Sequence, residues 1–141
     1  IKPQNIVMVN SKKCKIKILD FGISRPNNKI NDYFLVQSLY YRAPEIFEKK
    51  NYNKKIDVWS YGCIVGELYT GFPFLYGNND KEQYQLITNV KNYINNLKPK
   101  NNDNLENFKN FLLNFLKLNH VNRLNIHSLL KHPFLKINNN S

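Results

Sequence analysis

The chain has 141 residues, 42% of them apolar, with 21 Lys and Arg against 10 Asp and Glu and a net charge of +11. That length makes one domain, or a large part of one, and the apolar and aromatic content excludes wholesale disorder. No run of eighteen apolar residues predicts a membrane span and no secretory leader is visible, while Cys14 and Cys63 have neither disulfide-framework nor zinc spacing. A reduced, intracellular protein of cytoplasm, nucleus or both is expected, with no membrane partner.

In chain order, Ile6 to Val9 and Cys14 to Leu19 are short apolar or alternating runs around the polar Asn10-Ser11-Lys12-Lys13, the pattern of a β-hairpin. Asp20-Phe21-Gly22 follows, where the strand ends and the chain must bend. From Ile23 to Arg42 no period holds and Pro26, Asn27 and Asn28 break any helix, which predicts a long functional or mobile loop. Pro44 suits the first turn of a short helix. Lys54 to Tyr69 has almost no polar face and is too short and interrupted for a bilayer, so a buried central helix is expected, stopped by Gly71 and Pro73. Asp80 is read as the N-cap of an amphipathic helix running to about Tyr93. Residues 95–104 form a low-complexity linker. Phe108, Phe111, Leu112, Phe115 and Leu116 give a one-sided stripe to a helix over 105–118. A last short helix over 126–131 precedes Pro133, and residues 137–141 are expected to be a disordered tail. The class that results is mainly α, with one short hairpin at the N-terminal end.

The positive charge carries little by itself. Only Arg25, Arg42 and Arg123 are arginines, the lysines are spread along the chain, and asparagine recurs in runs. A solvated Lys- and Asn-rich surface is the plain explanation, ahead of a preference for acidic partners. A nucleic-acid surface would cluster arginines and aromatics on one stripe, and no reader motif is present, so no nucleic acid is expected as a partner.

Three strings then line up: Ile1-Lys2-Pro3-Gln4-Asn5 before the first strand, Asp20-Phe21-Gly22 after the second, and Ala43-Pro44-Glu45 some twenty residues on. With Asp57-Val58-Trp59-Ser60-Tyr61-Gly62 on the central helix and Arg123 near the end, they resemble the eukaryotic protein kinase signature over nearly the whole chain. The resemblance implies the C-terminal lobe of such a kinase, an incomplete domain over 1–136. ATP and Mg2+ would be its cofactors and a protein its substrate; the small lobe would lie upstream in the same chain, and the molecule would be a monomer. It implies that Asp20 and Asn5 bind the metal, that Lys2 reaches the transferring phosphate, and that Lys2, Asn5 and Asp20 together hold the nucleotide. Ser38 would bond the catalytic Asp and Lys, making Lys2 and Ser38 the catalytic members. The activation segment would include Asp20, Phe21, Gly22, Tyr33, Ser38, Arg42 and Glu45. Glu45 and Arg123 would form a buried ion pair, and Asp57 would be a buried helix acid holding the catalytic-loop backbone; these three are structural.

Ser38 to Glu45 is similar to the CMGC group, and Glu67 to Pro73 with Gly77-Asn78-Asn79 to the dual-specificity tyrosine-regulated and homeodomain-interacting kinases. Serine at 38 goes with Ser/Thr rather than dedicated tyrosine specificity, with dual specificity left open. In those kinases an arginine that neutralises a phosphotyrosine usually follows the serine; here Leu39 stands in that place and Leu35 in the tyrosine's, with Tyr33 nearby. The usual insert before the final helices is almost absent. Residues 1–141 contain no Gly-rich loop, small-lobe lysine or His-Arg-Asp. The catalytic base would directly precede Ile1, so the segment alone is expected to be inactive and marginally folded. The competing reading is a non-catalytic kinase-like scaffold, a pseudokinase or truncated gene product.

Overall fold

Alternation builds the first element. In the computed structural model, which describes residues 1–13, 15–26, 37–98 and 104–135, strands β1 (Ile6–Asn10) and β2 (Lys15–Ile18) pair antiparallel with Ile6 opposite Ile18, Val7 opposite Lys17 and Met8 opposite Ile16. Side chains alternate across a strand, so Ile6, Met8, Ile16 and Ile18 share one face. Both strands are largely exposed. Cys14, Tyr33, Leu35, residues 99–103 of the linker and the tail beyond 135 lie outside the described residues.

Among the described residues, every regular element after the hairpin is helical. The order is α1 (Pro44–Phe47), α2 (Lys55–Thr70), α3 (Asp80–Thr88), α4 (Val90–Asn95), α5 (Leu105–Phe115) and α6 (Ile126–Leu129), with single 3-10 turns at Pro3–Asn5, Leu39–Tyr41, His120–Asn122 and Pro133–Leu135. Helix α2 is the axis of the core. Trp59 and Cys63 on it are fully buried, against Phe111, Leu112 and Phe115 of α5 and Phe74 of the following loop. Neighbouring segments approach α2 so closely because two of its positions lack a side chain. A Cβ at Gly62 would sit 2.6 Å from Phe115 Cβ, and one at Gly66 would sit 2.4 Å from the Phe74 ring. Gly71 ends α2 at φ 85°, the left-handed stop that a glycine adopts without a steric penalty, and its N–H donates to the Glu67 carbonyl at 2.7 Å.

Four expectations shift. Helix α2 is buried on one side only: Tyr61, although its ring lies 5.4 Å from that of Phe115, is 41% exposed and Leu68 80%. The N-cap of α3 is Asn79 rather than Asp80; its backbone is extended and its Oδ1 accepts from the Glu82 amide at 3.0 Å, while Asp80 turns to Arg42. The single helix expected to Tyr93 divides at Asn89. That residue leaves helical geometry, and its side-chain amide donates to the Gln85 carbonyl at 2.9 Å, an acceptor the backbone would otherwise use alone. The helix expected over 105–118 stops at Phe115, because Leu116 takes ψ 52° and its side chain drops into the core. Among the described residues no helix is long and apolar enough to cross a membrane.

Candidate active site

The hairpin brings two polar side chains together across a sequence gap. The Leu19 amide donates to the Asn5 carbonyl at 2.7 Å, so the residue before Asp20 is locked to Asn5. Asp20 then turns the chain at φ 59°, a left-handed conformation that Asp tolerates better than most side chains. Its Oδ1 accepts from the Gly22 amide at 3.2 Å; its second oxygen has no partner among the described residues. Phe21 is 66% exposed.

Below this turn opens a cleft of about 530 Å³ whose lining includes Lys2, Asn5, Asp20, Gln37, Ser38 and Asp57. Lys2, Asn5, Asp20 and Ser38, separated in sequence by up to three dozen positions, thus face one cavity. The Ser38 side chain makes no capping bond to the turn that follows it. Asp57 differs from expectation. Its side chain is 53% exposed and its Oδ1 lies 3.6 Å from the Ile1 amino nitrogen. It sits in the first turn of α2 and lines the cleft, so it is an exposed acid of the cleft wall rather than a buried one.

The donor set suits a hard divalent cation in one specific manner. Among the described residues no group of three or more His, Cys, Asp and Glu could enclose an ion. Asn5 and Asp20 offer side-chain oxygens, the small protein share of ligands that Mg2+ takes when phosphate supplies the rest. The residues present fit such an ion.

The far wall of the cleft is tied down by pairs. Glu45 and Arg123, 78 positions apart, meet in a bidentate ion pair with both N–O distances 2.7 Å, at 3% and 1% exposure. The remaining guanidinium donors reach the carbonyls of Lys117 at 2.8 Å, Lys55 at 3.1 Å and Leu118 at 3.2 Å, so all five are used. Trp59 lies under the cation at 5.1 Å. Lys55 Nζ in turn donates to the carbonyls of Val121, at 3.2 Å, and Arg123. Arg42, 8% exposed, stacks over Phe47 at 5.1 Å and pairs with Asp80 at 3.4 Å.

Several participants carry no mark in the sequence. Gln37 bonds to α2 and to the Ala43 amide. Ser60, fully buried, donates to the Tyr41 carbonyl at 2.8 Å. The Tyr41 hydroxyl donates to Glu67 at 2.6 Å, and burial followed by that carboxylate raises the phenol well above its ordinary range. Tyr40 packs on Tyr76 with ring centroids 4.8 Å apart, and the hydrogen bond between the two phenols raises Tyr40 as well. One signal was available: Ser60 is the one small hydroxyl in an otherwise apolar stretch of α2. Nothing local distinguishes Gln37. Burial pushes the Cys63 thiol up, which leaves it an inert core residue.

Comparison with known proteins points to one family. The chain is 45% identical over 91 residues to serine/threonine-protein kinase ppk5 of Schizosaccharomyces pombe and 41% identical over 90 residues to DYRK-family kinase pom1 of the same yeast. It is 42% identical over 91 residues to dual specificity tyrosine-phosphorylation-regulated kinase 4 of Homo sapiens. Each alignment covers 64% of this chain but only 11%, 8% and 17% of the respective relative, so the chain spans less than a fifth of their length. The protein kinase domain model matches residues 1–135. With that match running from the Lys2 end of the cleft to the last turn of the helical core, the chain belongs to the protein kinase domain family.

Proposed function

We propose that this chain is the C-terminal lobe of a serine/threonine protein kinase of the CMGC type, similar to the dual-specificity tyrosine-regulated kinases, which transfers the γ-phosphate of ATP to a protein hydroxyl. The observation that carries this reading is the convergence of Lys2, Asn5, Asp20 and Ser38 on one cleft. A non-catalytic scaffold needs none of these four to share a cavity, and the reading as a scaffold is the weaker one for that reason.

Phosphoryl transfer builds charge on the oxygens around the moving group, so a protein accelerates it by positioning and by electrostatics. Asn5 and Asp20 would hold Mg2+, which when bound neutralises phosphate charge. The left-handed turn at Asp20 aims its carboxylate while the Gly22 amide fixes one of its oxygens. Lys2 brings a compact cation to the phosphoryl group. Ser38 presents a hydroxyl at the edge of the cleft, next to the segment on which a protein substrate would lie. Residues 1–141 by themselves are expected to transfer no phosphate, since they contain no His-Arg-Asp.

The test is a transfer assay on the full-length protein with labelled ATP and Mg2+ against basic-protein and serine/threonine peptide substrates. Asp20→Ala is expected to lower kcat on the order of 10²–10³-fold, the cost of removing one preorganised electrostatic partner of a developing charge. Activity of that variant within about twofold of the parent would overturn the reading, and magnesium-dependent transfer by residues 1–141 alone would overturn the expectation for the segment.

A further inference from the structure

One imidazole holds the last described turn, and its neighbours dictate its protonation state. His132 is half-buried between α6 and the turn Pro133–Leu135. Its Nδ1 faces the Phe134 amide at 3.2 Å, and its Nε2 faces Asn110 Oδ1, on α5, at 2.9 Å. A backbone N–H can only donate, so Nδ1 must present a lone pair. The ring proton is then on Nε2, where it donates to Asn110 Oδ1. The Asn110 amide orientation agrees, since Oδ1 also accepts from the Asn114 side-chain amide at 3.4 Å. Both bonds therefore exist together only in the neutral Nε2–H tautomer. An imidazolium would carry a second N–H at Nδ1, aimed at the N–H of Phe134.

The ring closes more than its own two bonds. The His132 amide donates to the Leu129 carbonyl at 3.0 Å and the Leu135 amide to the His132 carbonyl at 2.9 Å. Pro133 has no N–H, so every backbone donor from His132 to Leu135 is bonded, and that of Phe134 depends on the ring. The turn presents Phe134 to the rings of Phe108 and Phe111, with centroids 5.2 and 5.1 Å away, and Phe108 stacks on Tyr69 of α2 at 4.2 Å. An aromatic column thus runs from α2 through α5 to this turn. No nearby charge favours an imidazolium. The ionisable groups on its own segment are His127 and Lys131. Those on α5, which carries Asn110 and Phe111, are Glu106 and Lys109, and they pair with each other at 3.5 Å. Among the described residues no carboxylate pairs with His132.

We propose that His132 is a pH-sensitive latch: as a neutral ring it holds the turn Pro133–Leu135 on α5, and as an imidazolium it lets that turn go. Imidazoles exchange their proton between about pH 5 and 8. The open turn binds the extra proton and the closed one does not, so the closure is complete at the upper end of that range and is lost as pH falls. None of the latch residues lines the cleft, and the device stands whether or not the chain is a kinase.

Hydrogen exchange of the full-length protein tests it, read by mass spectrometry on the peptide containing His132 to Leu135 at about pH 8 and 5.5, with rates corrected for the intrinsic pH dependence of exchange. Protection is expected to fall about tenfold on acidification, the worth of about one hydrogen bond. His132→Asn keeps an acceptor for the Phe134 amide that does not titrate, so its protection is expected to be equal at the two pH values. His132→Ala is expected to lose protection at both. His127→Gln is expected to keep the parent's pH dependence, which separates the latch from the neighbouring histidine and needs no change at the ring itself. Protection in the parent that stays constant or rises on acidification would overturn the proposal. So would a folded His132→Asn variant that loses protection with the parent, or a His127→Gln variant that no longer responds to pH.

Discussion

The two walls of the cleft are built in opposite ways. On one side the hairpin of β1 and β2 is held by its own ladder, with Val7, Met8, Val9, Ile16 and Ile18 all more than 40% exposed. On the other, the stretch from Gln37 to Glu45 is fixed by long-range bonds to α2, to α3 and to the chain around Arg123, and from Tyr41 to Ile46 every residue is buried. The hairpin's job is local geometry: one short ladder suffices to set Asn5 beside Asp20. The opposite wall must hold a loop end, which has no repeating backbone pattern of its own, so side chains from distant segments supply the bonds that a helix or strand would have made internally.

That contrast is breakable by experiment. The largest effect is expected at the ion pair. Arg123→Ala should cost the full-length protein roughly 3–5 kcal/mol, because it strands Glu45 as an unpaired buried charge. Arg123→Met combined with Glu45→Leu should recover most of that loss. Urea denaturation of the three proteins decides it, and a single variant as stable as the double one would show that the pair does not hold the wall.

A smaller effect is expected where α2 meets Phe74. Gly66→Ala places a methyl group into the Phe74 ring, and over-packing of this kind costs about 1–3 kcal/mol. Thermal melting should fall accordingly. The same substitution at Gly71 meets no neighbour within 4 Å and is penalised only through its φ of 85°, so it separates crowding from backbone strain.

The smallest effect is expected on the hairpin. Ile16 is 52% exposed, and Ile16→Thr keeps the β-branch that suits a strand, so in residues 1–141 it should change stability by less than about 0.5 kcal/mol. A larger loss measured by denaturant titration would mean that the hairpin is tied to the helical core more strongly than its exposure indicates, and would weaken the contrast between the walls.

Much of this architecture was legible in one sequence. The alternation around a polar turn placed the hairpin, the near absence of a polar face placed α2, Gly71 placed its end, and the Phe stripe placed α5. These features are local, since backbone hydrogen bonding imposes a period and the side chains record it within a few residues. The cleft residues Lys2, Asn5, Asp20 and Ser38 were visible only through motif resemblance, because no local rule links residues on opposite sides of a hairpin and a loop.

Other features were decided by tertiary structure. The cap of α3 passed from Asp80 to Asn79 because Arg42 claims Asp80 from another part of the chain. Asp57 was expected to be buried and is instead exposed in the cleft lining, since burial depends on which segments pack over a residue rather than on its own neighbours in sequence. Gln37 gave no signal at all: its partners lie 6, 19 and 23 positions away, and a glutamine in an irregular stretch has no period to betray it. The sequence by itself determined where the hairpin and the main helices lie and which motifs they carry. Only the packed chain decided which polar side chains satisfy one another, because that depends on distances between segments that meet after the core has formed.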